Sequence, residues 1–232
     1  MDRDCEIWSA SIDLLRPAHA ALLDDRERAR AEGLSRPEDR ARTVLAAALV
    51  RLVGARALHL DPVGPDTVRR LDVDRRCPSC AELHGKPSIG NGVHLSVSHA
   101  GELVMVAVSR VAPVGVDVEP ALRGAHAQVA ARWACAAEER AQIADARDAL
   151  RYWIRKEAIV KATGEGLAAP LADVRVSAPR EPARFVGWTG RPDQVCTLVD
   201  LNPPDGYVAS LAVLSNGPLD VVELTADRLL AA

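Results

Sequence analysis

The chain has 232 residues, 48% of them hydrophobic and 26% charged, with 29 basic against 32 acidic side chains and a formal net charge of −3. That length accommodates one large domain or two of roughly 100 to 150 residues, and the composition is that of a globular protein rather than a fibre. No whole-molecule field would draw in nucleic acid, and no apolar run approaches the ~18 residues of a membrane span, so neither nucleic acid nor a bilayer is expected as a partner.

The opening segment, MDRDCEIWSASIDLL, lacks a basic head followed by an apolar stretch, so no secretory signal is expected and a cytoplasmic location follows by default. Arginines crowd the first third: Arg26, Arg28, Arg30, Arg36, Arg40, Arg42, Arg51 and Arg56. They are either the solvated faces of two helices or the counter-charge for a polyanionic ligand.

Residues 37–60 are predicted to form an amphipathic helix, because Val44, Leu45, Ala48, Leu49, Leu52 and Val53 recur at the spacing of one helical face. Its polar face is assigned Arg40, Arg42 and Arg51. Residues 61–92, dense in Pro, Gly, Asp and Arg, read as irregular structure with one short strand over 68–73. This stretch contains CPSCAELH, with Cys77, Cys80 and His84 at knuckle-like spacing. A closed zinc site needs a fourth ligand and no second CxxC exists, so a loop with two reduced thiols is expected and a zinc knuckle is the alternative.

HLSVSHAGELVMVAVS reads as a β-hairpin turning at residues 99–102, and VGVDVE as a third strand. Two helices are predicted over 127–133 and 148–163, with a shorter helical piece over 137–145 between them. Gly164 stops the longer helix, as a glycine just past the last turn commonly does. The remainder returns to short strands such as GYVASLAVLS. Helix followed by strands therefore occurs twice, which predicts an α+β protein of two similar halves, residues 1–112 and 113–232.

Two places carry chemistry. In GVDVEP, Asp117 and Glu119 alternate along a strand and so project from one face, a pair suited to a hard cation such as magnesium or, more blandly, an exposed strand face. In YWIRKEAIVKATGEGL, the four-residue spacing of Trp153, Glu157 and Lys161 puts them on one helix face, where Glu157 and Lys161 could be a simple surface ion pair. If that face meets the strand, Glu157 becomes a third carboxylate and Lys161 a cation beside phosphates, which is a phosphoryl-transfer site. SVSHAG adds Ser98 and His99 at the hairpin turn, and HGKP adds Lys86 held before Pro87.

Taken in order, RARTVLAAALVR, HGKP, LSVSHAG, GVDVEP and WIRKEAIVKATGEGL resemble the 4'-phosphopantetheinyl transferases, and among them the broad-specificity, surfactin-type class of two fused halves. The resemblance spans about Arg30 to Leu167. It implies two α/β halves related by pseudo-twofold symmetry, the first binding coenzyme A and the second carrying magnesium and the catalytic groups. It further implies transfer of phosphopantetheine from coenzyme A to a serine of an apo acyl or peptidyl carrier protein, with release of 3',5'-ADP, by a monomer serving fatty acid, polyketide or nonribosomal peptide synthesis.

By the same resemblance Asp117, Glu119 and Glu157 are the magnesium carboxylates, Glu157 is also the base, and Lys161 contacts the pyrophosphate. Ser98 and His99 hold the coenzyme A phosphates, Lys86 and Pro87 line the adenine pocket, and Arg42, Thr43 and Arg30 lie near the 3'-phosphate. Glu27 stands where the family would place a basic residue, and the carrier-binding loop over 120–135 has only Leu122, Val129 and Trp133 as large apolar anchors. CPSCAELH has no place in this chemistry. Two other readings remain: a magnesium-dependent phosphohydrolase or nucleotidyl transferase using the same carboxylates, and a non-catalytic binding module built on a zinc knuckle.

Overall fold

The computed structural model describes residues 3–60, 64–77, 80, 82–166 and 169–231. Strand β1 (Cys5–Ser11) leads through short 3-10 turns to helix α1 (Asp25–Glu32) and the long α2 (Pro37–Ala57), then α3 (Pro65–Arg69), β2 (His94–Ala100), β3 (Leu103–Ser109) and β4 (Val114–Pro120). Helices α4 (Gly124–Ala134), α5 (Ala137–Arg140) and α6 (Ala146–Thr163) follow, then β5 (Val174–Val176), β6 (Phe185–Trp188), β7 (Thr197–Asp200), β8 (Tyr207–Val213), β9 (Val221–Thr225) and α7 (Asp227–Ala231). The fold is mixed α/β, and no helix of the described residues is long and apolar enough to cross a membrane. It divides into two compact units: the chain as far as Arg110 joined by the segment from Val221 onward, and Val111–Asp220.

The first unit is built on a four-stranded sheet of order β2-β3-β1-β9. β2 and β3 form the predicted hairpin, with Ala100 opposite Leu103. The turn is shorter than the sequence suggests: His99 pairs with Val104 inside the ladder, and the tight reversal falls on Gly101, whose φ of 57° suits glycine. β9 adds to the far side of the sheet by pairing parallel to β1. The last segment therefore belongs to this unit, where division of the chain at residue 112 would assign it to the other.

α2 packs on this sheet through Leu45, Leu49 and Val53, against Leu95, Val104 and Val106. Every residue from Leu45 to Ala55 is buried, so α2 is enclosed by α1, α3 and the sheet rather than half-exposed. Arg51 accordingly does not lie on a polar face. It is fully buried, donating to Glu27 Oε2 (2.5 Å), Asp24 Oδ2 (2.7 Å) and the carbonyls of Val68 (3.1 Å), Arg69 (2.9 Å) and Leu71 (2.9 Å). A buried guanidinium is tolerable only with its donors filled in this way. The strand expected over 68–73 is absent: Pro65 at the first turn opens α3 instead, and the chain through Leu71 supplies carbonyls to Arg51.

The second unit has a three-stranded antiparallel sheet of order β4-β8-β7 and a separate pair β5-β6. α6 lies on β4 and β8, and α4 packs on α6. The helix begins where the Asp145 side chain caps the Asp148 amide and ends where Gly164, at φ 83°, donates to the Val160 carbonyl at 3.1 Å. The piece expected over 137–145 is helical only in α5, because Asp145 is already the cap of the next helix.

Two cations of the WIRKEA segment serve the scaffold. Arg155, fully buried, donates to Asp200 (3.0 and 2.6 Å) and to the carbonyls of Ser177, Ala178 and Glu181. Lys156, also fully buried, donates to Glu139 (2.5 Å) and to the Ala134 (2.9 Å) and Leu171 (3.1 Å) carbonyls, tying α6 to α4, α5 and the 3-10 turn that precedes β5.

Candidate active site

The contact of β4 with α6 rests on a glycine. A Cβ on Gly115 would lie 2.0 Å from the Ala158 carbonyl oxygen and 2.4 Å from the Ala162 amide nitrogen, so strand and helix backbones touch there. Gly115, Asp117 and Glu119 alternate along β4 and share a face. Because Gly115 sits against α6, the two carboxylates on its face meet the helix at the level of Glu157 and Lys161.

Lys161 Nζ donates to Asp117 Oδ1 at 2.6 Å. Asp117 is 5% and Glu157 8% exposed, whereas Glu119 is half-buried with Arg123 Nε 3.9 Å from its Oε2. Burial pushes the Glu157 carboxyl up to about 7, reinforced by the negative charge of Asp117, opposed by Lys161 and reinforced again by Glu119. Glu119 is raised for the same first reason, burial, and then by Asp117, with Arg123 and Lys161 opposing.

Among the described residues, Glu119 Oε2 and Glu157 Oε1 are buried without a hydrogen-bond donor. Several carboxylates crowded into one low-dielectric spot, with acceptor oxygens left over, form a donor set that fits a hard divalent cation taking oxygen ligands. Asp117, Glu119 and Glu157 could hold it. The sequence made this meeting conditional on two faces touching, and the structure brings those faces together.

The first unit holds a cavity of about 1110 Å³ lined by α1, α2, residues 72–76 and Leu83, and Arg30, Thr43 and His99 are among its lining residues. Arg42, Lys86, Pro87 and Ser98 are not in that lining. Arg42 donates to the Gly101 carbonyl at 2.6 Å and pairs with Asp39, while Pro87 is buried. Lys86 has its ammonium pushed down to about 8 by burial. Ser98 and His99 are neighbours on β2 and so point to opposite faces; His99 and Val97 reach the cavity, whereas Ser98 is buried on the other side.

The cavity also has Arg26, Arg75 and Arg76 in its wall. Burial pulls the Arg75 pKa down, with the negative charge of Glu27 the largest opposing influence. Arg75 and Arg76 precede the CxxC segment, and a pair of adjacent arginines in an irregular stretch carries no periodicity that would have singled them out. Glu27, which stands where the resemblance implies a basic side chain, is one of the two acids, with Asp24, that neutralise Arg51.

The model of the 4'-phosphopantetheinyl transferase superfamily matches residues 113–212, which carry β4, α6 and β8. The chain is 30% identical over 183 residues to the Synechocystis sp. protein named "Putative 4'-phosphopantetheinyl transferase slr0495", covering 73% of this chain and 68% of that protein. It is 28% identical over 210 residues to the 4'-phosphopantetheinyl transferase HetI of Nostoc sp., covering 85% and 81%. Against the 4'-phosphopantetheinyl transferase of Bacillus subtilis it is 30% identical over 141 residues, 58% of this chain and 57% of that one. The chain belongs to the 4'-phosphopantetheinyl transferase family.

Proposed function

We propose that this protein transfers the 4'-phosphopantetheine group of coenzyme A to a serine of an apo acyl or peptidyl carrier protein, in the presence of magnesium, releasing 3',5'-ADP. The observation that carries the proposal is the gathering of Asp117, Glu119, Glu157 and Lys161 where β4 touches α6, in a chain of this family.

Asp117, Glu119 and Glu157 would hold magnesium, which would supply positive charge to offset the negative charge developing on the pyrophosphate. Glu157 accepts the proton of the carrier serine, directly or through water, since a serine hydroxyl is a poor nucleophile near neutral pH. The serine Oγ forms a bond to the β-phosphorus, the bond from that phosphorus to the bridging oxygen breaks, and the pair of electrons leaves with 3',5'-ADP. Lys161 places a positive charge beside the departing phosphate. In the first unit His99 contacts the coenzyme A phosphates, while Ser98, turned to the other side of β2, is left out of those contacts. Lys86 and Pro87 line the adenine pocket, and Arg30, Arg42 and Thr43 grip the 3'-phosphate. Arginine forks suit such a dianion.

The repeated plan of one long buried helix on antiparallel strands, α2 in the first unit and α6 in the second, supports the reading of two similar halves and of the broad-specificity class. Leu122, Val129 and Trp133, all exposed around α4, are the apolar surface offered to a carrier. The enzyme works as a cytoplasmic monomer in fatty acid, polyketide or nonribosomal peptide synthesis.

Incubation with coenzyme A, magnesium and an apo carrier, read by intact mass, should add one phosphopantetheine to the carrier. No mass shift with either carrier type would sink the reading, and release of 3',5'-ADP without any carrier would make the protein a hydrolase instead.

A further inference from the structure

The segment CPSCAELH takes no part in the proposed transfer, yet its described residues converge. One ligand atom each from Cys77, Cys80 and His84 lies within 4.8 Å of the other two, and Cys80 Sγ is 3.0 Å from His84 Nε2. Cys80 and His84 are exposed, so no apolar packing draws these side chains together. The backbone does so instead. The Cys77 amide donates to the Glu82 carbonyl at 2.8 Å, and the Gly85 amide to the Arg75 carbonyl at 2.7 Å, closing the loop twice. The second closure requires glycine, because a Cβ on Gly85 would lie 2.6 Å from the Arg76 carbonyl oxygen.

We propose that Cys77, Cys80 and His84 bind one zinc ion, with the fourth coordination position open to solvent. Tetrahedral zinc with bonds of about 2.3 Å to sulfur and 2.0 to 2.1 Å to nitrogen keeps its ligand atoms roughly 3.5 to 3.8 Å apart, and the observed spacing needs only small rotations to reach that. Two thiolates and a neutral imidazole balance the charge of the ion, and binding releases the two thiol protons to solvent. The ion ties together a loop whose flanking residues Arg75, Arg76 and Leu83 line the first-unit cavity, and whose Leu83 carbonyl accepts from Arg30 Nη1 at 3.3 Å. The site therefore braces a cavity wall. Its existence does not depend on what the cavity binds.

The test uses the full chain, reduced, stripped with a chelator and titrated with Co²⁺ as a spectroscopic stand-in and with Zn²⁺ against a competing dye. The expected result is one metal per chain, an intense thiolate-to-cobalt charge-transfer band displaced by Zn²⁺, and slower hydrogen exchange at the Cys77 and Gly85 amides once metal is bound. Cys80→Ser and His84→Ala should each weaken zinc by more than the ~10- to 100-fold that loss of an outer-shell partner costs, and both should keep the circular dichroism of the parent. Absence of the charge-transfer band in the folded, reduced parent would overturn the proposal. So would a band that survives in both variants, or a protein that yields only a Cys77–Cys80 disulfide and takes up no metal after reduction.

Discussion

Gly115 meets Ala158 so closely that a Cβ would fall 2.0 Å from the carbonyl oxygen, and this approach sets the level at which Asp117 and Glu119 reach α6. Gly115→Ala must push strand and helix apart. The expected loss is about 3 kcal/mol or more, at the upper end of overpacking effects because the obstacle is backbone. Transfer activity should fall with it. Gly187→Ala is the matched control, since nothing lies within 4 Å of a Cβ placed there. Urea unfolding of the two variants checks this, and equal midpoints would mean that the contact is looser than described.

Glu157→Gln keeps the side chain's shape and removes its charge. Loss of a general base alone costs on the order of 100- to 10,000-fold in rate, and loss of a metal carboxylate adds to it, so transfer to an apo carrier should drop at least that far. The folded chain should survive. Activity within about tenfold of the parent would remove Glu157 from the base role.

Stability of the metal-free protein should depend on pH in a particular direction. The Glu157 carboxyl titrates at about 7 folded against 4.5 as the ordinary value, so the folded state holds the extra proton in that window. The sign follows: this contribution is fully present below about 4.5 and is lost as pH rises through about 7, amounting to a few kcal/mol at most. Thermal scans in chelator should therefore give a lower melting temperature at pH 8 than at pH 6, with the difference reduced in Glu157→Gln. Magnesium should raise the melting temperature more at pH 8 than at pH 6, because the proton and the cation compete for the same oxygens.

Arg51→Met and Lys156→Met each leave buried acceptors behind. Removing one partner of a buried pair costs about 3 to 5 kcal/mol, and Arg51 additionally abandons the Val68, Arg69 and Leu71 carbonyls. Both variants should unfold at markedly lower denaturant than the parent. A double change, Lys156→Met with Glu139→Leu, should recover part of the loss, since it removes the stranded carboxylate as well.

Local patterns were legible wherever neighbours in sequence decide the outcome. The β2–β3 hairpin, β4, α6 and its Gly164 stop follow from alternation, helical spacing and a left-handed cap, and the facing of Asp117 with Glu119, and of Glu157 with Lys161, follows from the same periods. What stayed hidden depends on distant partners. Periodicity cannot tell an exposed arginine from Arg51, whose neutralising Asp24 and Glu27 lie a helix away. Nor does it distinguish the β-branched stretch after Pro65 from a strand when proline's preference for a first helical turn prevails. The cavity arginines Arg75 and Arg76 lie in irregular chain, where composition marks no face. Alternation alone ends the hairpin strand two residues early and so puts Ser98 and His99 together at a turn; the longer strand separates them onto opposite sides.

The parallel pairing of β9 with β1 has a consequence for how the chain is made. β1 can meet β3 as soon as the hairpin has been synthesised, but its other edge waits for Val221–Thr225, whose carbonyl at Leu224 lies 215 positions from the Ser9 hydroxyl that bonds it. During translation the whole of Val111–Asp220 emerges in that interval. The first sheet to begin is thus completed after the second unit has emerged, and for that time an apolar strand edge is open to pairing with other chains. A nascent protein stalled before Val221 would carry that edge exposed. Every chain halted between Ser109 and Val221, short or long, therefore shares one aggregation-prone edge.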